Sequence, residues 1–232
     1  MTTIDGLSIE AIVLDIDGTL ADTDDAAVAR VERLFRFVGW FIKNRDSHVA
    51  ARRFVMRIES PVNTLVGWLD RTGLDQVLGP IVDSLHRLRG VVGHSHAHLI
   101  PGVREALVRL AERYPLCVVT AREHYSAHAI LESHSLSSMF EFVATARSCR
   151  RAKPNPDPVL WAVDQIGANP ARCLMVGDTT ADILAGNAAG LQTVGVLCGF
   201  GERSELKEAG ADIILNSTAD LADLLLGSAT GI

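Results

Sequence analysis

Two kinds of hydrophobic patterning alternate along the chain. Ala11-Ile-Val-Leu-Asp-Ile16 is an apolar run of strand length that ends at the turn signal Asp17-Gly18-Thr19, and it predicts a buried strand. From about Asp22 to Gly93 such runs disappear, and apolar residues recur at helical spacing with aromatics and arginines between them. Helices are predicted over Asp24 to Trp40, Asp46 to Glu59, Val62 to Arg71 and Leu74 to Leu88, punctuated by Pro61, Gly73 and Gly90. After Pro101-Gly102 helix and strand patterns alternate. Helices are expected at Val103 to Tyr114, Glu123 to Ser133, Pro158 to Ile166, Ala181 to Ala189 and Leu221 to Leu226. Strands are expected at Leu116 to Val119, Phe140 to Val143, Cys173 to Val176, Thr193 to Leu197 and Ile213 to Leu215.

That alternation implies an α/β fold, with a Rossmann-like parallel sheet flanked by helices. The helical stretch reads as an α-helical cap inserted into it. The expected division is a core of residues 1–21 and 99–232 and a cap of residues 22–98.

Composition narrows the function classes. Of the 232 residues 48% are hydrophobic and 22% charged, which excludes a disordered chain. A formal charge of −6 argues against a nucleic-acid partner. No apolar run approaches the ~20 residues that span a bilayer, and Met1-Thr-Thr-Ile-Asp-Gly6 lacks a signal-peptide pattern. A cytoplasmic protein without membrane contact, monomeric or homodimeric, is expected. The cysteines Cys117, Cys149, Cys173 and Cys198 form no CxxC pair. Three of them sit in apolar strand-like runs, so buried thiols are expected rather than disulfides or zinc ligands.

In open α/β sheets ligands bind beyond the carboxyl ends of the strands. Asp15, Asp17, Gly18 and Thr19 close the first strand, and Thr120, Ala121 and Arg122 follow the second. Lys153 comes a few residues after the third, and Gly177, Asp178, Thr179 and Asp182 follow the fourth. Each group alone has an ordinary explanation: a turn, a helix cap, an exposed loop lysine, acids favoured at a helix N-terminus. Their meeting at one edge of one sheet is not explained that way. Four converging carboxylates repel unless a cation lies among them, and oxygen donors without histidine or cysteine suit Mg²⁺.

Taken in order, Asp15-Ile-Asp17-Gly-Thr-Leu20, Val118-Val-Thr120, Lys153-Pro154 and Gly177-Asp178-Thr-Thr-Ala-Asp182 resemble the four motifs of the haloacid dehalogenase-like superfamily. The helical segment is similar to that family's cap, and the cap type to that of its phosphoglycolate phosphatase-like members. The resemblance implies a Mg²⁺-dependent phosphatase acting on a small phosphorylated metabolite. Asp15 would be the nucleophile forming an aspartyl-phosphate, and Asp17 the acid and then the base. Thr120 and amides near Gly18 and Ala121 would hold the phosphoryl oxygens, and Lys153 would neutralise charge. Asp15, the backbone carbonyl of Asp17, Asp178 and Asp182 would hold the metal, Asp182 directly or through water.

A second aspartate at position 17 points to phosphoryl transfer, because a halide leaving group needs no proton. Lys43 is the only cap lysine and lies in a polar stretch that ends a helix, which disfavours a Schiff-base phosphonatase. A phosphomutase of the β-phosphoglucomutase type shares all four motifs, and a non-catalytic phospho-acceptor or partner-binding relative is a further alternative. Many relatives carry Asn directly after the motif threonine, whereas Ala121 and Arg122 stand here. Arg45, Arg52, Arg53 and Arg57 fit a solvated helix face or a second anion site. Arg147, Arg150 and Arg151 fit a surface loop. His94, His96 and His98 fit a hinge better than a metal site, and Trp40 and Trp68 fit the core of the cap.

Overall fold

The structure is a computed structural model, and it describes residues 8–22 and 97–227. The chain divides into two units, Met1–Asp22 with His98–Ile232, and Thr23–Ala97. The helices expected from Asp24 to Leu88, the cap arginines, Lys43, Trp40, Trp68, His94 and His96 all lie outside the described residues.

Within the described residues a six-stranded parallel sheet forms in the order β5-β4-β1-β6-β7-β8. Its strands are β1 (Ala11–Leu14), β4 (Leu116–Val119), β5 (Phe142–Ala144), β6 (Cys173–Gly177), β7 (Gln192–Val196) and β8 (Ile213–Leu215). All four residues of β1 are fully buried, as a strand covered on both faces requires. Alternate positions divide between the faces. Ala11, Val13, Cys117, Val119, Cys173 and Met175 join one cluster with Val159, Ala162, Val163, Ala185 and Ala189. Those helical residues come from α3 (Asp157–Ile166) and α4 (Thr180–Ala189). The intervening Ile12, Leu14, Leu116, Val118, Leu174 and Val176 are equally buried. So are Val103, Leu107 and Leu110 of α1 (Val103–Ala111) and Leu221 and Ala222 of α6 (Leu221–Leu226), two helices that pack against one another.

The chain runs from β1 outward to β4 and β5, then returns beside β1 to lay down β6, β7 and β8. The reversal puts the carboxyl end of β1 at a topological switch point, where this kind of sheet opens a crevice. The remaining helices are α2 (His124–Ser133) and α5 (Arg203–Glu208).

Several elements differ from the sequence reading. The third strand starts at Phe142, because Ser137–Met139 takes a 3₁₀ turn first. α5 was not foreseen; its six residues bury Leu206 alone and offer no periodicity to read. A two-residue antiparallel ladder joins β2 (Ala21–Asp22) to β3 (His98–Leu99), pairing Asp22 with His98. Cys117 and Cys173 are buried as expected, and burial pushes each thiol up to about 11. Cys198 is a correction: it lies past the end of β7 and is only partly buried. Among the described residues no helix is long and apolar enough to cross a membrane.

Leu174, in the strand beside β1, has no exposed surface. Leu174→Ala should lower the unfolding free energy by about 2–5 kcal/mol through lost burial and the cavity left behind. In urea the midpoint falls while the m-value stays constant. A loss below about 1 kcal/mol would place this side chain outside the load of the core.

Candidate active site

Asp15 extends β1 by one residue, its amide donating to the Val176 carbonyl at 3.0 Å. The chain then turns back sharply, and the amides of Thr19, Leu20 and Ala21 all point at the Ile16 carbonyl. Gly18 makes the turn possible with φ +72, a left-handed conformation open to glycine at little cost. A Cβ there would also lie 2.2 Å from Asp178 Oδ2. Gly199, beyond β7, approaches the same oxygen, at 2.1 Å from an added Cβ. Two loops therefore close on one fully buried carboxylate. Asp178 accepts from Thr19 Oγ1 at 3.3 Å and from the Phe200 amide at 2.7 Å.

Asp15, Asp178 and Asp182 are all buried, and each offers an oxygen within 4.8 Å of the others. Lys153 reaches between them. Its Nζ lies 3.0 Å from Asp15 Oδ1, donates to Asp182 Oδ1 at 2.6 Å, and donates to the Val119 carbonyl at 2.8 Å. The Lys153–Pro154 peptide bond is cis. Asp182 also has the ordinary helix-capping role. Its Oδ2 accepts from the amide and hydroxyl of Thr179, closing a capping box on α4.

Burial raises the proton affinity of Asp15, with Asp182 and Asp17 adding to the rise and Lys153 opposing it; the result is about 7. Burial likewise drives Asp178 well above the usual carboxylate range, reinforced by Asp182 and Asp15. Burial works against a charged Lys153, but the Asp15 and Asp182 carboxylates outweigh it and raise the ammonium above its ordinary value. Three carboxylates and one ammonium leave two negative charges unmatched, the charge that a divalent cation supplies. Asp15 Oδ1 is buried without a well-directed hydrogen bond, a further mark of a donor set that suits a hard cation.

Asp17 is not a member of this cluster. Both its carboxylate oxygens accept from Arg122 Nε, at 2.9 and 2.7 Å, and Oδ1 also accepts from Nη2 at 2.5 Å. Thr120 follows β4 directly and is buried, and its hydroxyl accepts from the Arg122 amide at 3.2 Å. It does not cap α2, whose N-terminus has no side-chain cap. Arg147 pairs with Glu123 at 2.9 Å and Arg151 with Asp157 at 3.0 Å, so both meet neighbouring carboxylates. His98 is exposed, on β3.

The structure thus brings Asp15, Asp178, Asp182 and Lys153 together, with Asp17, Gly18 and Thr120 around them. Sequence reasoning missed two members of the site: the loop Cys198–Gly201, which supplies the Phe200 amide, and the contact of Arg122 with Asp17. A signal for the loop was present, since two glycines follow a buried strand at the same sheet edge.

Residues 12–196 match the family of haloacid dehalogenase-like hydrolases. The chain belongs to that family. Its similar relatives include the pyrophosphatase PpaX of Oceanobacillus iheyensis, 28% identical over 94% of this chain and 98% of that one. They also include a phosphoglycolate phosphatase of Vibrio vulnificus, 28% identical over 95% and 98%. A solved haloacid dehalogenase superfamily hydrolase of subfamily IA from Geobacter sulfurreducens superposes with a TM-score of 0.60. It is 25% identical, with 97% of this chain and 100% of that one covered. Asp15, Asp17, Gly18, Thr120, Arg122, Lys153, Asp178 and Asp182 fall within the matched residues, and the loop Cys198–Gly201 lies just beyond them.

Proposed function

We propose that this family member is a Mg²⁺-dependent phosphatase that hydrolyses a small phosphomonoester through an aspartyl-phosphate on Asp15. The observation that carries the reading is the buried Asp15, Asp178 and Asp182 cluster held against Lys153 at the switch point of the sheet. The names of the relatives support it, since two of them are a pyrophosphatase and a phosphoglycolate phosphatase. Asp15 and Asp178 would hold the cation together with the Asp17 carbonyl. Asp182, whose oxygens are engaged by Thr179 and Lys153, would act through that lysine or a water. The bound ion would neutralise phosphoryl charge.

In the first step an Asp15 oxygen attacks phosphorus, the bond from phosphorus to the alcohol oxygen breaks, and Asp17 gives that oxygen a proton. In the second, Asp17 takes a proton from water, whose oxygen attacks phosphorus, and the bond to Asp15 breaks. Lys153 balances charge on Asp15 in both steps, while Thr120 and the amides around Gly18 and Ala121 orient the phosphoryl oxygens. Residues 22–98 are proposed as the helical cap that selects the alcohol.

Phosphate release from a panel of phosphomonoesters and pyrophosphate tests the reading, with 2-phosphoglycolate and pyrophosphate measured first. Release that depends on Mg²⁺ and favours one member is expected. A folded protein that binds Mg²⁺ and releases phosphate from none of them would overturn it.

A further inference from the structure

We infer that Arg122 is the positioning residue for Asp17: its guanidinium holds that carboxylate in the orientation that proton exchange with the leaving group and with water requires. The inference rests on the phosphatase reading above and adds a residue to it.

Arg122 stands two residues after Thr120, and its surroundings immobilise it at three points. Its amide donates to Thr120 Oγ1 at 3.2 Å, and its carbonyl accepts from the Ala146 amide at 2.9 Å. Its Nη1 donates to Ser126 Oγ at 2.8 Å, within the first turn of α2. From that base the side chain crosses from the end of β4 to the loop after β1, where Nε and Nη2 grip both oxygens of Asp17. The Arg122 side chain is largely buried, at 15% exposure against 24% for that of Asp17.

The geometry matters because an aspartate has two freely rotating bonds, and a general acid works only within about 2.6–3.2 Å of the atom it protonates. A planar two-pronged contact fixes the plane of the carboxylate as well as its position, which a single hydrogen bond does not. The guanidinium keeps its protons at every working pH, so the ionised carboxylate always finds the same two-pronged partner. Ser126 and the main-chain anchors transfer the rigidity of β4 and α2 to Asp17. Asp15, by contrast, is fixed by Lys153 and the sheet. Nucleophile and acid are thus held by separate devices, Lys153 for one and Arg122 for the other.

Leaving-group dependence separates positioning from a general structural role. kcat/KM covers the steps up to departure of the leaving group. An alkyl phosphate needs a proton there, whereas nitrophenolate leaves without one. In Arg122→Ala, kcat/KM for the best alkyl phosphate should fall about 10–100-fold, while for p-nitrophenyl phosphate it stays within about threefold. With p-nitrophenyl phosphate kcat itself should drop and a burst of nitrophenol should appear, because hydrolysis of the phospho-enzyme still needs Asp17 as base. Arg122→Lys keeps the charge without the fork and should show the same asymmetry at smaller size. Asp17→Asn combined with Arg122→Ala should be no slower on the alkyl phosphate than Asp17→Asn alone.

Equal losses of kcat/KM on both substrates in the two Arg122 variants, or losses that multiply with Asp17→Asn, would overturn the assignment while leaving the phosphatase reading intact. A native protein inactive on both substrates would instead count against the phosphatase reading and remove the basis for this one.

Discussion

Asp15→Asn should abolish phosphate release, by on the order of 10⁴-fold or more, while leaving the fold in place. The substitution changes one oxygen to nitrogen at the end of β1 and keeps the backbone bond to Val176. The oxygen that remains belongs to a neutral amide, too weak a nucleophile to attack phosphorus, so no rearrangement of Lys153 or Thr120 compensates. The same change relieves a cost. Burial and the neighbouring Asp182 oppose an ionised Asp15 and hold its proton affinity up to about 7. A neutral amide there should therefore leave the metal-free protein at least as thermally stable as the native chain at pH 8, although the contact with Lys153 weakens. Activity within tenfold of native, in a protein with a native melting curve, would remove Asp15 from the role of nucleophile. Inactivity accompanied by a collapsed melting temperature would show that the carboxylate matters to folding, against the charge argument made here.

How much of this was legible beforehand depends on the physics of each element. β1, β4 and β6 are buried on both faces, so they read as unbroken apolar runs, and the motif residues follow directly from where those runs stop. Asp15 and Asp178 were reachable because each sits at such a stop, and Lys153, in the loop past β5, and Asp182, in the first turn of α4, through the order of the motifs. The contact between Arg122 and Asp17 was not reachable, since it joins residues 105 positions apart through a side chain whose direction no periodicity encodes. Arg147 reads as part of a surface loop and is exposed, whereas Arg122 follows a strand with nothing in the sequence to say what its side chain meets. The Phe200 amide was hidden for another reason. A backbone donor carries no residue signature, and only the glycines on either side of Phe200 hint that the loop comes close to something. Asp182 shows a third case, in which a residue with the ordinary capping role also stands in the candidate site. One oxygen closes the capping box of α4 while the other meets Lys153.

Removing the divalent ion should have an effect on activity comparable to losing a catalytic group, roughly 10³-fold, because several kcal/mol of charge stabilisation goes with it. Its stability counterpart has a definite sign. Asp15 and Asp178 hold protons more tightly in the folded chain than their usual value of 3.8, for Asp15 up to about 7. Between those values the metal-free folded state binds more protons than the unfolded state, so its stability falls as pH rises across that window. Lys153 is raised too, and for a base that contribution is complete below 10.5 and lost only at higher pH, so it leaves the slope near neutrality alone. Mg²⁺ favours the ionised carboxylates and should cancel the decline. At a hundredfold excess over its dissociation constant it adds about 2.7 kcal/mol. For a protein of this size that corresponds to a rise of roughly 5–10 °C in melting temperature. Asp178→Asn isolates the site from the other titrating groups of the chain: the metal-free variant should have a flatter pH profile than the native protein, and Mg²⁺ should raise its melting temperature far less. Identical pH slopes for the two proteins, together with no upward shift at millimolar Mg²⁺, would mean that the buried carboxylates are not a cation site and that some other partner matches their charge.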